Sequence, residues 1–237
     1  MRRALIAALA AGFVACVFVT AAQQAVVAPL ILKAEEYEEA NSAKAAPAAQ
    51  QPAAHQHAAG QPAHSHEDEG WKPGEGIERI AYTALANLGF GVGFGLLLVA
   101  AFVLSGREVD WKRGLAWGAG GFAVFALAPA LGLPPELPGA ASADLLARQT
   151  WWLGTVAATA AGLALLVFGK NWPWKLLGMA VLAAPHVLGA PHPPGGGDHG
   201  GVPAELVQGF VVLSLVVTAL FWAVLGAVSG AVYARVR

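Results

Sequence analysis

LVQGFVVLSLVVTALFWAVLGAVSGAVY, residues 206–233, runs for 28 positions without an acidic, basic or histidine residue. A helix that crosses a bilayer needs roughly 20 mostly apolar residues to cover about 30 Å of hydrocarbon. Leu206–Tyr233 exceeds that requirement, and its apolar residues are continuous rather than alternating. Alternation would suggest a barrel strand. A continuous run suggests a helix, which pairs its backbone groups within the segment as hydrocarbon demands.

Five further stretches approach the same requirement: Ala4–Leu32 (softened by Gln23 and Gln24), Ile80–Leu104, Gly114–Leu133, Trp151–Phe168 and the short Leu176–Ala190. The chain is 57% hydrophobic and only 12% charged. A soluble domain usually carries about 25% charged residues, so the natural solvent for these surfaces is lipid. The expected fold is an all-α membrane protein, a bundle of six transmembrane helices, or five if the first or fifth segment fails to cross. Pro129 and Pro185 lie inside segments and predict kinks, whose freed carbonyls neighbouring helices can satisfy.

Three regions follow. Residues 1–32 form the first transmembrane helix or a signal anchor. Arg2-Arg3 ahead of an apolar run resembles a signal peptide, but no clean A-x-A site interrupts it, so an uncleaved helix is expected. Residues 33–78 open with Glu35, Glu36, Glu38 and Glu39, read as an acidic helix extension. An Ala/Pro/Gln/His stretch follows that cannot bury a core and reads as disordered. Residues 79–237 hold the remaining five helices.

Lysine and arginine set the orientation. Arg2 and Arg3, then Arg107, Lys112 and Arg113, then Lys170 and Lys175, then Arg235 and Arg237 fall on one side if all six segments cross. The opposite short loops, 134–148 and 191–204, contain only Arg148. The expectation is a multi-pass protein of a bacterial inner membrane. Both termini are then cytoplasmic and residues 33–78 lie outside.

The strongest chemical signal sits in that outer loop. His55-Gln56-His57 and His64-Ser65-His66, followed by Glu67-Asp68-Glu69, hold four of the seven histidines. Neutral imidazole ligates Co, Ni, Cu and Zn ions, and two H-x-H pairs on a flexible chain can wrap one or two of them. Without partners to orient the rings, binding is weak and exchange fast. The plainer reading is a solvated linker with incidental histidines. A second group lies near the outer end of the fifth segment: His186 after Pro185, then His192, Asp198 and His199, with Glu136 and Glu205 in the neighbouring outer loop and helix start. An ionisable residue within an apolar segment usually faces the bundle interior or a watery path. The alternative is a hydrogen-bonded interfacial histidine.

Much is excluded. Net charge is −1, which gives no basic field for nucleic acid. Cys16 is the single cysteine, so no intrachain disulfide or CxxC pair exists. There is no GxxxxGK[ST], HExxH or GxSxG, and the Gly89–Gly95 run follows no strand, so no enzyme is expected. Glycine pairs Gly89/Gly93, Gly91/Gly95, Gly114/Gly118 and Gly226/Gly230 are expected to let helices approach closely.

Several stretches, in order, are similar to one family. They are Ala21-Ala22-Gln23-Gln24 through Val27-Ala28-Pro29-Leu30-Ile31-Leu32 to Ala34-Glu35-Glu36-Tyr37; Leu133-Pro134-Pro135-Glu136-Leu137-Pro138-Gly139; Arg148-Gln149-Thr150-Trp151-Trp152 with Thr155 and Thr159; Pro185-His186 with Gly189-Ala190-Pro191; and Val202-Pro203-Ala204-Glu205-Leu206 through Phe221-Trp222. Together they resemble the CbtA family of cobalt transporter subunits, usually described with five spans. The resemblance implies import of a divalent metal ion for corrinoid synthesis, Co2+ first and Ni2+ or Zn2+ as alternatives. It also implies a small single-helix membrane partner with its own His-rich motif. The rival expectation is a membrane metal-binding scaffold or sensor that moves no ion.

Overall fold

The computed structural model describes residues 2–45, 74, 76–193 and 201–236. Helix α1 (Arg2–Ala22) passes through a π-helical turn (Gln23–Val27) into α2 (Ala28–Ala45). Then come α3 (Ile77–Ser105), α4 (Trp111–Phe122), a second π-helical turn (Ala123–Leu127), α5 (Ala128–Ala130), α6 (Leu145–Phe168), α7 (Trp172–Leu188) and α8 (Ala204–Arg235). No strand occurs among the described residues.

Each apolar stretch is helical, but they differ in what they can span alone. Four helices are long and apolar enough to cross a membrane: Arg2–Asn41, Ile77–Ser105, Leu145–Phe168 and Ala204–Arg235. The third and fifth segments, which only approach that requirement in the sequence, fall short of it by length or composition. The glycine-rich first half of α4 and the polar residues at its start dilute the third segment. The fifth has only 17 residues, about 25 Å of helix.

Local chemistry sets the boundaries. Asp110 accepts from the Arg113 N–H at 2.8 Å and starts α4, and Asp144 accepts from the Ala147 N–H at 2.9 Å and starts α6. Gly106, at φ 62°, ends α3 in the left-handed conformation that glycine tolerates best. Both π turns stop immediately before an Ala-Pro pair, Ala28-Pro29 and Ala128-Pro129. Ala28 N–H bonds the Gln23 carbonyl, and Ala128 N–H bonds the Ala123 carbonyl, one residue farther back than in an α-helix. A proline brings no amide to the carbonyl four residues earlier, and the wider turn absorbs that mismatch. The kink expected at Pro129 thus takes the form of a π turn. Pro185 instead lies within an unbroken α7.

The core is a bundle in which α1 packs on α3 and α8, and α8 packs on α4. Small residues bring these backbones together. A Cβ on Gly91 would stand 2.7 Å from the Gly12 carbonyl oxygen, and one on Gly95 2.9 Å from that of Ala8. A Cβ on Gly226 would press on the Gly114 carbonyl and on Gly118 Cα at 2.8 Å. Three of the four expected glycine pairs therefore make helix contacts. Gly89 and Gly93 face open space, because they lie on the other side of α3. Phe94, Phe125 and Trp222 stack beside this seam, with ring centroids 4.9–5.7 Å apart.

The α6–α7 hairpin is a separate layer. The two helices run antiparallel and close at Gly162 and Gly178, where a Cβ on either would lie 2.8 Å from the other's carbonyl oxygen. At the far end Trp151 Nε1 donates to the Pro185 carbonyl at 3.3 Å. Helix α7 therefore follows α6 along its length and does not turn back as a re-entrant loop. The hairpin meets the core chiefly through Ala123–Ala130.

The basic residues cluster at one end of the bundle. The Arg3 guanidinium lies 3.7 Å from the Tyr233 ring, the Arg107 guanidinium lies 5.2 Å from the Phe168 ring, and Gly230 abuts Asp110. The helix ends bearing Arg2, Arg107, Lys170 and Arg235 thus share a face, as the loop charges predict.

Candidate functional site

The opposite end carries the described candidate residues. Helix α2 continues beyond Leu32, as the acidic stretch suggested, and Ala34 is buried with Leu137 and Val202 from the two short loops. Arg79 of α3 holds Glu35 of α2 through two hydrogen bonds, at 2.7 and 3.3 Å. These contacts tie α2 to the start of α3 and to the two short loops.

Glu136 lies in the loop after α5. Its carboxylate pairs with Arg148 at 3.0 Å and accepts from Ser142 Oγ at 2.6 Å. The pair lines a cavity of about 660 Å³ between α5, α6 and α8, with Gln149, Trp152 and Thr218 on its wall. Arg148, in the first turn of α6 and the one basic residue in 134–148 and 191–204, is therefore matched by a carboxylate. A cation approaching Glu136 must compete with that guanidinium.

His186 sits on the exposed side of α7, edge-on to Trp151 with ring centroids 6.1 Å apart. It does not enter the packed interior; the Pro185 carbonyl beside it is already used by Trp151. His192 and Glu205 are exposed at the same end, in the segment after α7 and in the first turn of α8. His55, His57, His64, His66, Asp198 and His199 lie outside the described residues. Among the described residues no three His, Cys, Asp or Glu side chains converge on a point that could hold a metal.

A polar seam crosses the α1–α3 interface next to the first π turn. Asn87 Nδ2 donates to Thr20 Oγ1 at 3.0 Å and to Gln23 Oε1 at 2.7 Å. One turn away Cys16 Sγ lies 3.3 Å from the Ala84 carbonyl. Gln23 stands out in the sequence as a polar break in the first segment, but it is not joined there to Asn87, Thr20 or Cys16. The spacing of Cys16, Thr20 and Gln23 puts all three on one helical face, which is the signal that could have joined them. Interhelical hydrogen bonds of this kind contribute about 0.6 kcal/mol each. Asn87→Leu should therefore lower stability by about 1 kcal/mol in a detergent melt. Lost metal flux with an unchanged melt would instead place Asn87 on an ion path.

The model of one family, described as "Probable cobalt transporter subunit (CbtA)", matches residues 1–234. The chain belongs to the CbtA family. This makes it a membrane protein of a cobalt transporter family, in agreement with its four long apolar helices. No curated protein and no solved structure matches the chain.

Proposed function

We propose that this CbtA-family chain is the membrane-embedded subunit of a divalent transition-metal importer, and that the metal is cobalt bound for corrinoid synthesis. Membership of the family over residues 1–234 carries the reading. The shared basic end supports six crossings in a bacterial inner membrane, with both termini in the cytoplasm. The chain is read as a carrier component and not an enzyme, with Co2+, or Ni2+ or Zn2+, as its cargo.

In this reading His55, His57, His64 and His66 capture the ion outside. It moves on toward Glu136, His186, His192, Asp198, His199 and Glu205 at the outer mouth. The membrane potential then favours inward movement by about 2.3 kcal/mol per charge per 100 mV. A small single-helix subunit with its own His-rich motif is the proposed partner.

The test is cobalt uptake by cells with and without the chain under cobalt limitation. Equal uptake defeats the proposal. His186→Ala sharpens it. The expected result is reduced uptake at normal membrane insertion, whereas unchanged uptake makes His186 structural. A scaffold or sensor is the second reading, favoured by the lack of a three-ligand group among the described residues. Metal flux into liposomes holding the purified protein separates the two.

A further inference from the structure

The α6–α7 hairpin meets the core near its outer end and stands away from it below. The space left between α3, α4 and α6 is a crevice of about 980 Å³. Its walls are apolar. Ala157, Ala160 and Ala164 occupy one face of α6, and Gly120 and Gly121 lie opposite on α4. Phe125 and Trp222 line its upper part.

The lower mouth is different. Arg107, Glu108 and Arg113 line it. The Arg107 guanidinium lies over the Phe168 ring at 5.2 Å, reaching across from the α3–α4 loop to α6. The Arg113 guanidinium donates to the Glu108 carbonyl. Neither arginine is ion-paired among the described residues, and two guanidiniums against one carboxylate leave the mouth at +1.

An apolar space of this size does not hold ordered water, which needs polar partners. Two occupants of apolar chemistry exist in a bilayer: an acyl chain and another helix. A spanning helix can lie along such a groove without being enclosed by it, so the charge at the mouth decides between the two. An apolar helix brings no anion for the two arginines. Guanidinium pairs fit phosphate oxygens, and basic pockets between helices take anionic head groups. We infer that the crevice is a binding site for an anionic glycerophospholipid. One acyl chain lies between α3, α4 and α6, and its phosphate sits at Arg107 and Arg113. The inference needs only the membrane setting and does not rest on metal transport.

The experiment is lipid retention by the full chain. The protein is purified in mild detergent, relipidated with an equimolar mixture of phosphatidylglycerol and phosphatidylethanolamine, and repurified. Bound lipid is then quantified by mass spectrometry. The wild type is expected to keep phosphatidylglycerol in preference. R107Q/R113Q should reduce that retention about tenfold, the loss of charge-assisted hydrogen bonds to phosphate. Ala160→Phe keeps both arginines but fills the groove, and should reduce it as well. K170Q/K175Q removes two cations from the same end outside the crevice, and should change nothing. A melting curve for each variant checks that it is folded. Equal retention by the wild type, R107Q/R113Q and Ala160→Phe overturns the inference. So does retention without preference between the two lipids, or cross-linking of a second helix into the crevice.

Discussion

Gly226→Val should abolish the folded protein. Gly226 lies where α8 crosses α4, and its Cβ would meet the Gly114 carbonyl and Gly118 Cα. Both obstacles are backbone, so no side-chain rotation can relieve the clash. The helices must separate, and Gly118 against the Trp222 carbonyl and Gly230 against that of Asp110 would open with them. Overpacking of a well-filled core costs typically 1–3 kcal/mol, and a backbone clash belongs at or above the upper end. The expected loss is about 3 kcal/mol or more, read as an early melt and aggregation in detergent. Gly120→Ala is the control. It lies on α4, two residues beyond Gly118 and on the other side of that helix, with nothing near its Cβ, and should be neutral within about 0.5 kcal/mol. Equal behaviour of the two variants would mean that α4 and α8 do not cross here.

The second large effect concerns capture rather than folding. Replacing His55, His57, His64 and His66 together with alanine should raise the external Co2+ needed for half-maximal uptake about tenfold. The reason is tethering. If these imidazoles capture metal as proposed, ligands tethered between α2 and α3 that bind weakly and exchange fast would act through local concentration. The maximal rate at saturating Co2+ should stay the same. A fall in that rate would make the histidines part of the translocation path. No change in either quantity would make the stretch a spacer.

The helices were legible because their signal is local. Runs such as Leu206–Tyr233 need no partner to be read, and Asp110, Asp144 and Gly106 mark boundaries by their own chemistry. Partnership was not legible. Gly89/Gly93 and Gly91/Gly95 have the same spacing, and only the arrival of α1 on one side of α3 distinguishes them. The Asn87–Thr20–Gln23 seam joins residues more than sixty positions apart. The π turns escaped as well, because a proline signals a disturbed helix without saying how the backbone absorbs it. The apolar neighbours of His186 left two places open for it, the bundle interior or the interface. It lies on the open side of α7, since a 17-residue helix packed on one partner has more outer face than inner. Glu136 was legible as an outer carboxylate, but its ion pair with Arg148 depends on how the loop after α5 folds back on α6.

Helix α7 carries a consequence for the surrounding lipid. It runs beside α6, yet its 17 residues cover about 25 Å against a typical hydrocarbon thickness of about 30 Å. If α7 crosses as proposed, with Trp172 and Trp174 at one end and Pro185-His186 at the other, the leaflets beside it pinch inward by about 5 Å, at a cost of fractions of a kcal/mol per Å. Membranes of short-chain lipids would accommodate such a dimple with less distortion.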